Sequence, residues 1–404
     1  MPSFEEARKI ILEAVSALGA EDVRIVDAIG RVLAEDVAAP REVPAWDNSA
    51  MDGYAVRAES ARPGAGLALS AYIPAGSPAS EALQPGTAAR ILTGAPLPPG
   101  ADAVVPFEEA EEREGRVFPR AAVRVGAHVR RRGEDMRAGE RILGTGTVLG
   151  PPEVSFLATC SRRSVRVFRR PRVAILSTGD ELVEAGEPLA PGKIHDSNGP
   201  AVAAAVKDAG GDPALLGIAR DEPGPLKTFL AEGLRADVLV TTAGVSRGDR
   251  DFVREVLADL GVREVFSSVE VKPGRPMAFG TSDRTPVFSL PGNPVSTLLT
   301  FDQFVRPALL RMMGRRDVLR PLVPAIAQDE LRRKPGRVSL VRVRLERSGD
   351  GLHAWSAGSQ ETGILRTLLR ADGIAVIPAE WGDVRPGTTI DVQVCRSGSG
   401  LRCG

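Results

Sequence analysis

The chain has 404 residues, 43% hydrophobic and 26% charged, with 52 basic side chains against 52 acidic ones. That length calls for roughly two to four domains, and the zero formal charge argues against a nucleic-acid binder, which normally carries a basic excess. No apolar run approaches the ~18 residues of a membrane span, the acidic N-terminus MPSFEEARK is unlike a signal peptide, and three cysteines without a CxxC pair point to the reducing cytoplasm.

Residues 3–19 predict an amphipathic helix. Ser3 and Glu6 have capping-box spacing, Phe4, Ile10, Ile11, Ala14, Val15 and Leu18 share a face, and Gly19 ends it. Residues 23–37 read as a short strand and a helical turn. The loop 47–53 then crowds Asp47, Asn48, Ser49, Asp52 and Gly53 together. From Tyr54 to about Gly139 short apolar alternations are punctuated by Pro and Gly, which predicts a small all-β domain. Its loops around Asp52, Thr93 and RRRGED (130–135) carry polar clusters. Arg130, Arg131 and Arg132 beside Glu134 and Asp135 read first as a solvated, self-compensating turn. Residues 138–170 supply a strand and a helix opened by Pro151 and Pro152.

From Pro171 to Arg311 apolar runs alternate with amphipathic ones. Strands are expected at 172–176, 213–219, 237–244 and 285–290, and helices at 199–211, 226–235, 251–261 and from Pro294 to Arg311. That alternation predicts βαβ units and a parallel sheet, whose ligands bind outside the carboxyl ends of the strands. After Arg311, residues 338–358 read as a hairpin around Ser-Gly-Asp-Gly, and 373–394 adds further strands. The predicted fold is a multidomain α/β plus β protein. An elongated scaffold (1–40 with 138–170) carries an inserted β domain (41–137), followed by a three-layer α/β domain (171–318) and a C-terminal β-barrel (319–404).

The loops that this topology gathers at one sheet edge are rich in chemistry. Asp180, Glu181, Asp196, Asp221, Asp249 and Asp251 offer oxygens suited to a hard ion such as Mg²⁺ that bridges a phosphate. Ser177, Thr178, Ser246 and the amides of Gly179, Gly244 and Gly248 could cradle an oxyanion. The PGNP turn, with Pro291, Asn293 and Pro294, opens a helix at the same edge. Only six lysines stand beside many arginines, so Lys272 in the Pro/Gly loop VKPGRP is pointed, and Arg275 follows it. His195 is the one histidine near these loops, and a structural role for it is as good as a catalytic one. No Ser/His/Asp or Cys/His set stands out, which disfavours acyl transfer. Composition and spacing reach a phosphate- or nucleotide-handling α/β enzyme with β side domains, and no internal repeat is read.

Seven stretches resemble one family over essentially the whole chain: DNSAMDGYAVR (47–57), RILTGAPLPPGADAVV (90–105), RRRGEDMRAGE (130–140), RVAILSTGDEL (172–182), HDSNGP (195–200), VKPGRPMAFG (271–280) and LPGNPVSTLLTF (290–301). They are similar to the MoeA/gephyrin family. The resemblance implies a cytoplasmic molybdopterin molybdotransferase that takes adenylylated molybdopterin and molybdate and, with Mg²⁺, releases AMP. It also implies a homodimer whose active cleft is shared between subunits, and a molybdopterin adenylyltransferase as a possible partner; no nucleic acid or membrane is involved. By position, Asp52, Thr93, Arg130, Asp135, Glu181, Asp221, Asp251 and Lys272 match residues the family uses. Glu181, Asp221 and Asp251 are then expected at the metal and phosphoanhydride, and Lys272, Arg275 and Arg130 at molybdate or phosphate. Three departures stand out: Ser268 where a basic residue is common, Ala243–Gly244 for a glycine pair, and Gln360-Glu361-Thr362 for Gln-Gly-Ser. A nucleotide-cleaving hydrolase and a non-catalytic scaffold are the rival readings. The DNSAMDGYA segment argues against the first, and the lack of a fused module or long linker against the second.

Overall fold

The run RVAILST has no charge after Arg172, as befits a strand covered on both faces. In the computed structural model it is the strand Arg172–Thr178, flanked in parallel by Asp212–Ala219 on one side and Val238–Thr242 on the other. Thr285–Leu290 continues the parallel order. Two strands absent from the sequence reading, Ala278–Ser282 and Arg263–Phe266, extend the sheet antiparallel at its far edge. Alternate residues serve the two faces. Val173, Ile175, Val240 and Phe288 pack with Val202, Val206 and Leu299, whereas Ala174, Leu176 and Leu239 pack with Leu226, Leu230 and Val253. The helices Asn198–Asp208, Pro223–Gly233 and Phe252–Asp259 follow their strands as expected.

The structure describes residues 1–77, 81–244, 252–283, 285–349 and 351–395. The chain divides into two compact units, one of Met1–Ala34, Gly146–Pro151 and Ser164–Gly404, the other of Glu35–Thr145 and Pro152–Arg163. In the first unit the N-terminal helix has the predicted capping box and buries Phe4, Ala7 and Ile11, but it spans Phe4–Ala14 rather than running on to Gly19. Val15 is already extended and buried, and the Leu18 amide donates to the Met312 carbonyl at 2.8 Å. A tertiary hydrogen bond here outweighs the apolar periodicity. The helix from Pro294 also departs from expectation: it runs as Pro294–Thr300, widens through a π turn at Phe301–Val305, and resumes as Arg306–Met312.

The C-terminal strands Leu322–Ala327, Val338–Ser348, Gly351–Ser356, Gly373–Ile377 and Thr389–Val394 pair in a ring, closed where Val338–Ser348 meets Gly373–Ile377. Closure leaves no sheet edge around the core of Val343, Ile377, Ile390 and Val392. A two-residue strand from the α/β part, Val271–Lys272, adds in parallel to Val338–Ser348.

The second unit is a six-stranded sheet ordered Ala103–Pro106, Gly53–Val56, Thr87–Ile91, Leu67–Ile73, Arg116–Pro119, Ala110–Arg113. Tyr54, Val56, Val105 and Val117 fill one of its cores, and Ala55, Ile91 and Val104 the other. Among the described residues no helix is long and apolar enough to cross a membrane.

Candidate functional site

At the carboxyl edge of the α/β sheet lies a cavity of about 1110 Å³. Glu181 enters it from the STGDEL turn, Lys272 and Arg275 from VKPGRP, and Pro291 and Asn293 from the PGNP turn. The barrel supplies the rest, chiefly the loop from Arg332 to Arg337, with Ser339 and Thr362. Asn293 donates through its side-chain amide to Thr362 Oγ1 at 3.1 Å, joining the PGNP turn to the barrel. The backbone of Asn293 caps the helix Pro294–Thr300, with Pro294 at its first turn.

Several predicted residues are engaged inside the fold rather than presented to the cavity. Ser177 Oγ donates to Asp196 Oδ2 at 2.6 Å and accepts from Thr242, and Thr178 Oγ1 donates to the Thr242 carbonyl at 3.3 Å. Both hydroxyls are buried. The Gly179 amide donates to the Ala219 carbonyl at 3.2 Å, so it is already spent. Its glycine identity has another cause: φ is +147°, and a Cβ there would lie 2.7 Å from a Glu181 carboxylate oxygen. Asp196 uses its other oxygen to take the amides of Asn198 and Gly199, each at 3.0 Å, which fixes the start of the following helix. Asp180 Oδ1 accepts the Asp221 amide at 3.3 Å, and its carbonyl accepts Lys193 Nζ. His195 places Nε2 2.9 Å from the Glu187 carbonyl, a structural contact. Ser246 and Asp251 lie outside the described residues.

Mg²⁺ can be tested against this donor set. Among the described residues no three Asp, Glu, His or Cys side chains converge as a ready metal cage. Magnesium needs less: it keeps several waters and binds through one or two carboxylates plus substrate phosphate. Glu181, exposed on the cavity wall, meets that requirement, with Asp221 on the neighbouring turn hydrogen-bonded to Asp180.

In the second unit Asp52 and Thr93 meet. Asp52 Oδ1 accepts the Thr93 amide at 2.7 Å and its hydroxyl at 2.8 Å. The amide bond, followed by the hydroxyl, holds the Asp52 carboxyl below its ordinary value. The RRRGED turn compensates itself only in part. Arg131 pairs with Asp47 at 2.7 Å, Arg132 with Glu42 at 2.9 Å, and Glu134 accepts the Arg131 amide. Arg130 has no carboxylate partner among the described residues; its backbone pairs with Asn48. Asp135 is exposed and donates its amide to the Val43 carbonyl.

Sequence reading singled out Gln360-Glu361-Thr362 in the barrel but missed the loop from Arg332 to Arg337 that lines the cavity. Arg342 is 0% exposed, and its Nη2 donates to the carbonyls of Ser359 (3.1 Å) and Glu361 (3.3 Å), while Nε and Nη1 find no partner among the described residues. Burial lowers its pKa, with Glu361 opposing the shift. Within the departure Gln360-Glu361-Thr362, Gln360 closes back on the Arg342 backbone in both directions, which places Thr362 at the cavity. An arginine in an alternating strand reads as surface; only closure of the barrel puts it inside.

Fold and cavity define the class: an α/β protein whose cleft, lined by lysines and arginines at the carboxyl edge of the sheet, is completed by a β-barrel. Comparison with known proteins narrows this. Residues 2–161 match the MoeA N-terminal region (domain I and II), 174–311 a probable molybdopterin binding domain, and 324–395 the MoeA C-terminal region (domain IV). A molybdopterin molybdenumtransferase of Nostoc sp. is 40% identical over 394 residues, covering 94% of this chain and 90% of the relative. Molybdopterin molybdenumtransferase 2 of Mycobacterium tuberculosis is 36% identical, covering 97% and 99%. The crystal structure of a molybdopterin biosynthesis MoeA protein from Pyrococcus horikosii superposes with a TM-score of 0.84 at 32% identity, over 97% of this chain and 98% of that one. The chain belongs to the MoeA family.

Proposed function

We propose that this chain is a molybdopterin molybdenumtransferase of molybdenum cofactor biosynthesis, acting on molybdate and adenylylated molybdopterin and releasing AMP. The relatives' names support the transferase class. The observation that carries the finer reading is the cavity that sets the Glu181 carboxylate beside Lys272 and Arg275. Two anions must meet in this reaction, and their repulsion opposes the encounter. Fixed cations at the cavity wall offset it without reorganising when the substrates arrive. Lys272 is a compact charge and Arg275 a planar fork suited to a tetrahedral oxyanion.

Glu181 and Asp221 would hold Mg²⁺ together with substrate phosphate, and Asp251 is the third expected ligand. When bound, the ion supplies Lewis-acid polarisation of the adenylyl phosphate. The protein's own side chains do the remainder: Asn293 and Thr362 keep the cleft's two walls in register, and the cations orient the oxyanion. We also propose a cytoplasmic homodimer that shares its cleft between subunits and receives substrate from an adenylyltransferase. The decisive assay incubates the protein with adenylylated molybdopterin, with and without molybdate, and follows AMP. AMP release that ignores molybdate would point instead to a nucleotide-cleaving hydrolase.

A further inference from the structure

The tetrapeptide Lys-Pro-Gly-Arg occurs twice in this chain, at 272–275 and at 334–337. Both copies line the same cavity. The chain has few lysines, yet two of them open these two turns. The glycines also share a backbone conformation, φ +108° at Gly274 and +106° at Gly336, which L residues rarely adopt. The copies are physically joined. The first leaves the strand Val271–Lys272, whose parallel partner is the beginning of Val338–Ser348, the strand that the second copy enters. Val271 stands opposite Val338 and Lys272 opposite Ser339.

The charges at the cavity divide accordingly. Arg332 pairs with Glu330 at 2.9 Å. Arg333 donates to the carbonyls of Pro378, Arg337 (2.6 Å) and Ala379 (3.4 Å), its amide donates to Asp383 Oδ1 at 2.6 Å, and its buried Nε finds no partner among the described residues. What remains is Lys272 and Arg275 from one turn, Lys334 and Arg337 from the other. None of the four has a carboxylate partner among the described residues. All four are exposed, and among the described residues Glu181 is the only lining carboxylate not already bonded to the barrel loop. Among the described residues, four cations without a carboxylate partner line the cavity, more positive charge than one dianion offsets.

Building on the function proposed above, we propose that Lys334 and Arg337 form a second anion seat, which takes one phosphate of the substrate's phosphoanhydride and keeps it as the phosphate monoester that cleavage leaves, while Lys272 and Arg275 hold the other anion. A lysine point charge beside an arginine fork suits a tetrahedral oxyanion in either turn. The phosphate could belong to the nucleotide or to the pterin side chain.

Titration calorimetry on the full chain saturated with molybdate separates the seats, with AMP and inorganic phosphate as probes. Wild type is expected to bind at least one probe without displacing molybdate. In Lys334→Ala/Arg337→Ala the affinity for that probe should fall at least about tenfold, the effect of losing charge-assisted hydrogen bonds. Molybdate affinity, measured alone, should stay within about twofold, because these side chains are not its seat. Melting curves matching wild type verify that the exposed substitutions leave the fold intact. Loss of AMP and phosphate binding together assigns the nucleotide phosphate; loss of phosphate binding with AMP unchanged assigns the pterin's. Full competition between molybdate and both probes, equal weakening of molybdate and probe in the variant, or no weakening at all overturns the second seat. A wild type that shows the two-seat pattern but no molybdate-dependent AMP release refutes the transferase reading and leaves the seat standing.

Discussion

Replacing Gln303 with leucine removes the centre of a buried polar joint while keeping its volume nearly constant. Gln303 is 1% exposed, in the π turn of the helix that begins at the cavity. Its Nε2 donates to Asp302 Oδ2 at 2.9 Å and to Gln393 Oε1 of the barrel at 2.8 Å, and its oxygen accepts from Arg8 of the N-terminal helix. Arg320 closes the joint on Asp302 Oδ1 at 2.8 Å. Burial pushes the Arg8 guanidinium down to about 10, so Arg8 depends on its few partners. After Gln303→Leu, Gln393 Oε1 loses its donor and Arg8 an acceptor. Each stranded buried group costs about 1–3 kcal/mol, so a loss of roughly 2–6 kcal/mol is expected for the two. Gln393→Leu alone leaves the Gln303 amide with Asp302 and should cost less, about 1–2 kcal/mol. The double variant should then recover about 1–2 kcal/mol relative to the sum of the singles, since the stranded acceptor is gone. Urea unfolding followed by tryptophan fluorescence reads this cycle, because Trp355 and Trp381 belong to the barrel region. Strict additivity would show that the two glutamines do not act through each other, and the joint would have to be discarded.

Three further outcomes follow from the same geometry. Thr93→Val removes one of the two bonds that lower the Asp52 pKa, so that pKa should rise toward the ordinary carboxylate value, readable by NMR titration. Because the folded pKa is depressed, the bond contributes stability above the unfolded carboxylate pKa near ~3.9, lost as pH falls through the folded value; an unmoved Asp52 titration refutes the link. Glu181→Gln should abolish molybdate-dependent AMP release while the melting curve stays as in wild type, and unchanged turnover would remove Glu181 from the site. Arg333→Ala should lower barrel stability by about 1–3 kcal/mol and expose 332–337 to proteolysis, since Arg333 ties three carbonyls together; a variant as protease-resistant as wild type contradicts that role.

The elements legible in the sequence are those whose burial leaves a periodic trace. The strand Thr285–Leu290 is read to the residue because both of its faces are covered, so no charged position interrupts it. The strand Arg263–Phe266, with a charged pair and one buried residue, leaves no such trace and is held by its neighbour Ala278–Ser282. Val15 shows the opposite failure, a residue with good helical periodicity that is already extended, in a segment whose Leu18 amide bonds the distant Met312 carbonyl. The site divides along the same line. Glu181 and Asn293 sit in turns directly after parallel strands, where topology alone predicts convergence, whereas Lys272 lies in a short strand that pairs with the barrel. Asp52 and Thr93 are 41 positions apart, and nothing in spacing or periodicity says that one caps the other. The barrel's contribution is the least legible because it depends on ring closure: Arg342 becomes an interior guanidinium, and a second Lys-Pro-Gly-Arg turn reaches the cavity of the first, only when Val338–Ser348 pairs with both Gly373–Ile377 and Val271–Lys272. An anion site built across such a closure has its charge set by which strands pair. The repeated tetrapeptide is therefore informative where a lone basic loop is not, since a lysine and an arginine at the same spacing reach one cavity from two different strands.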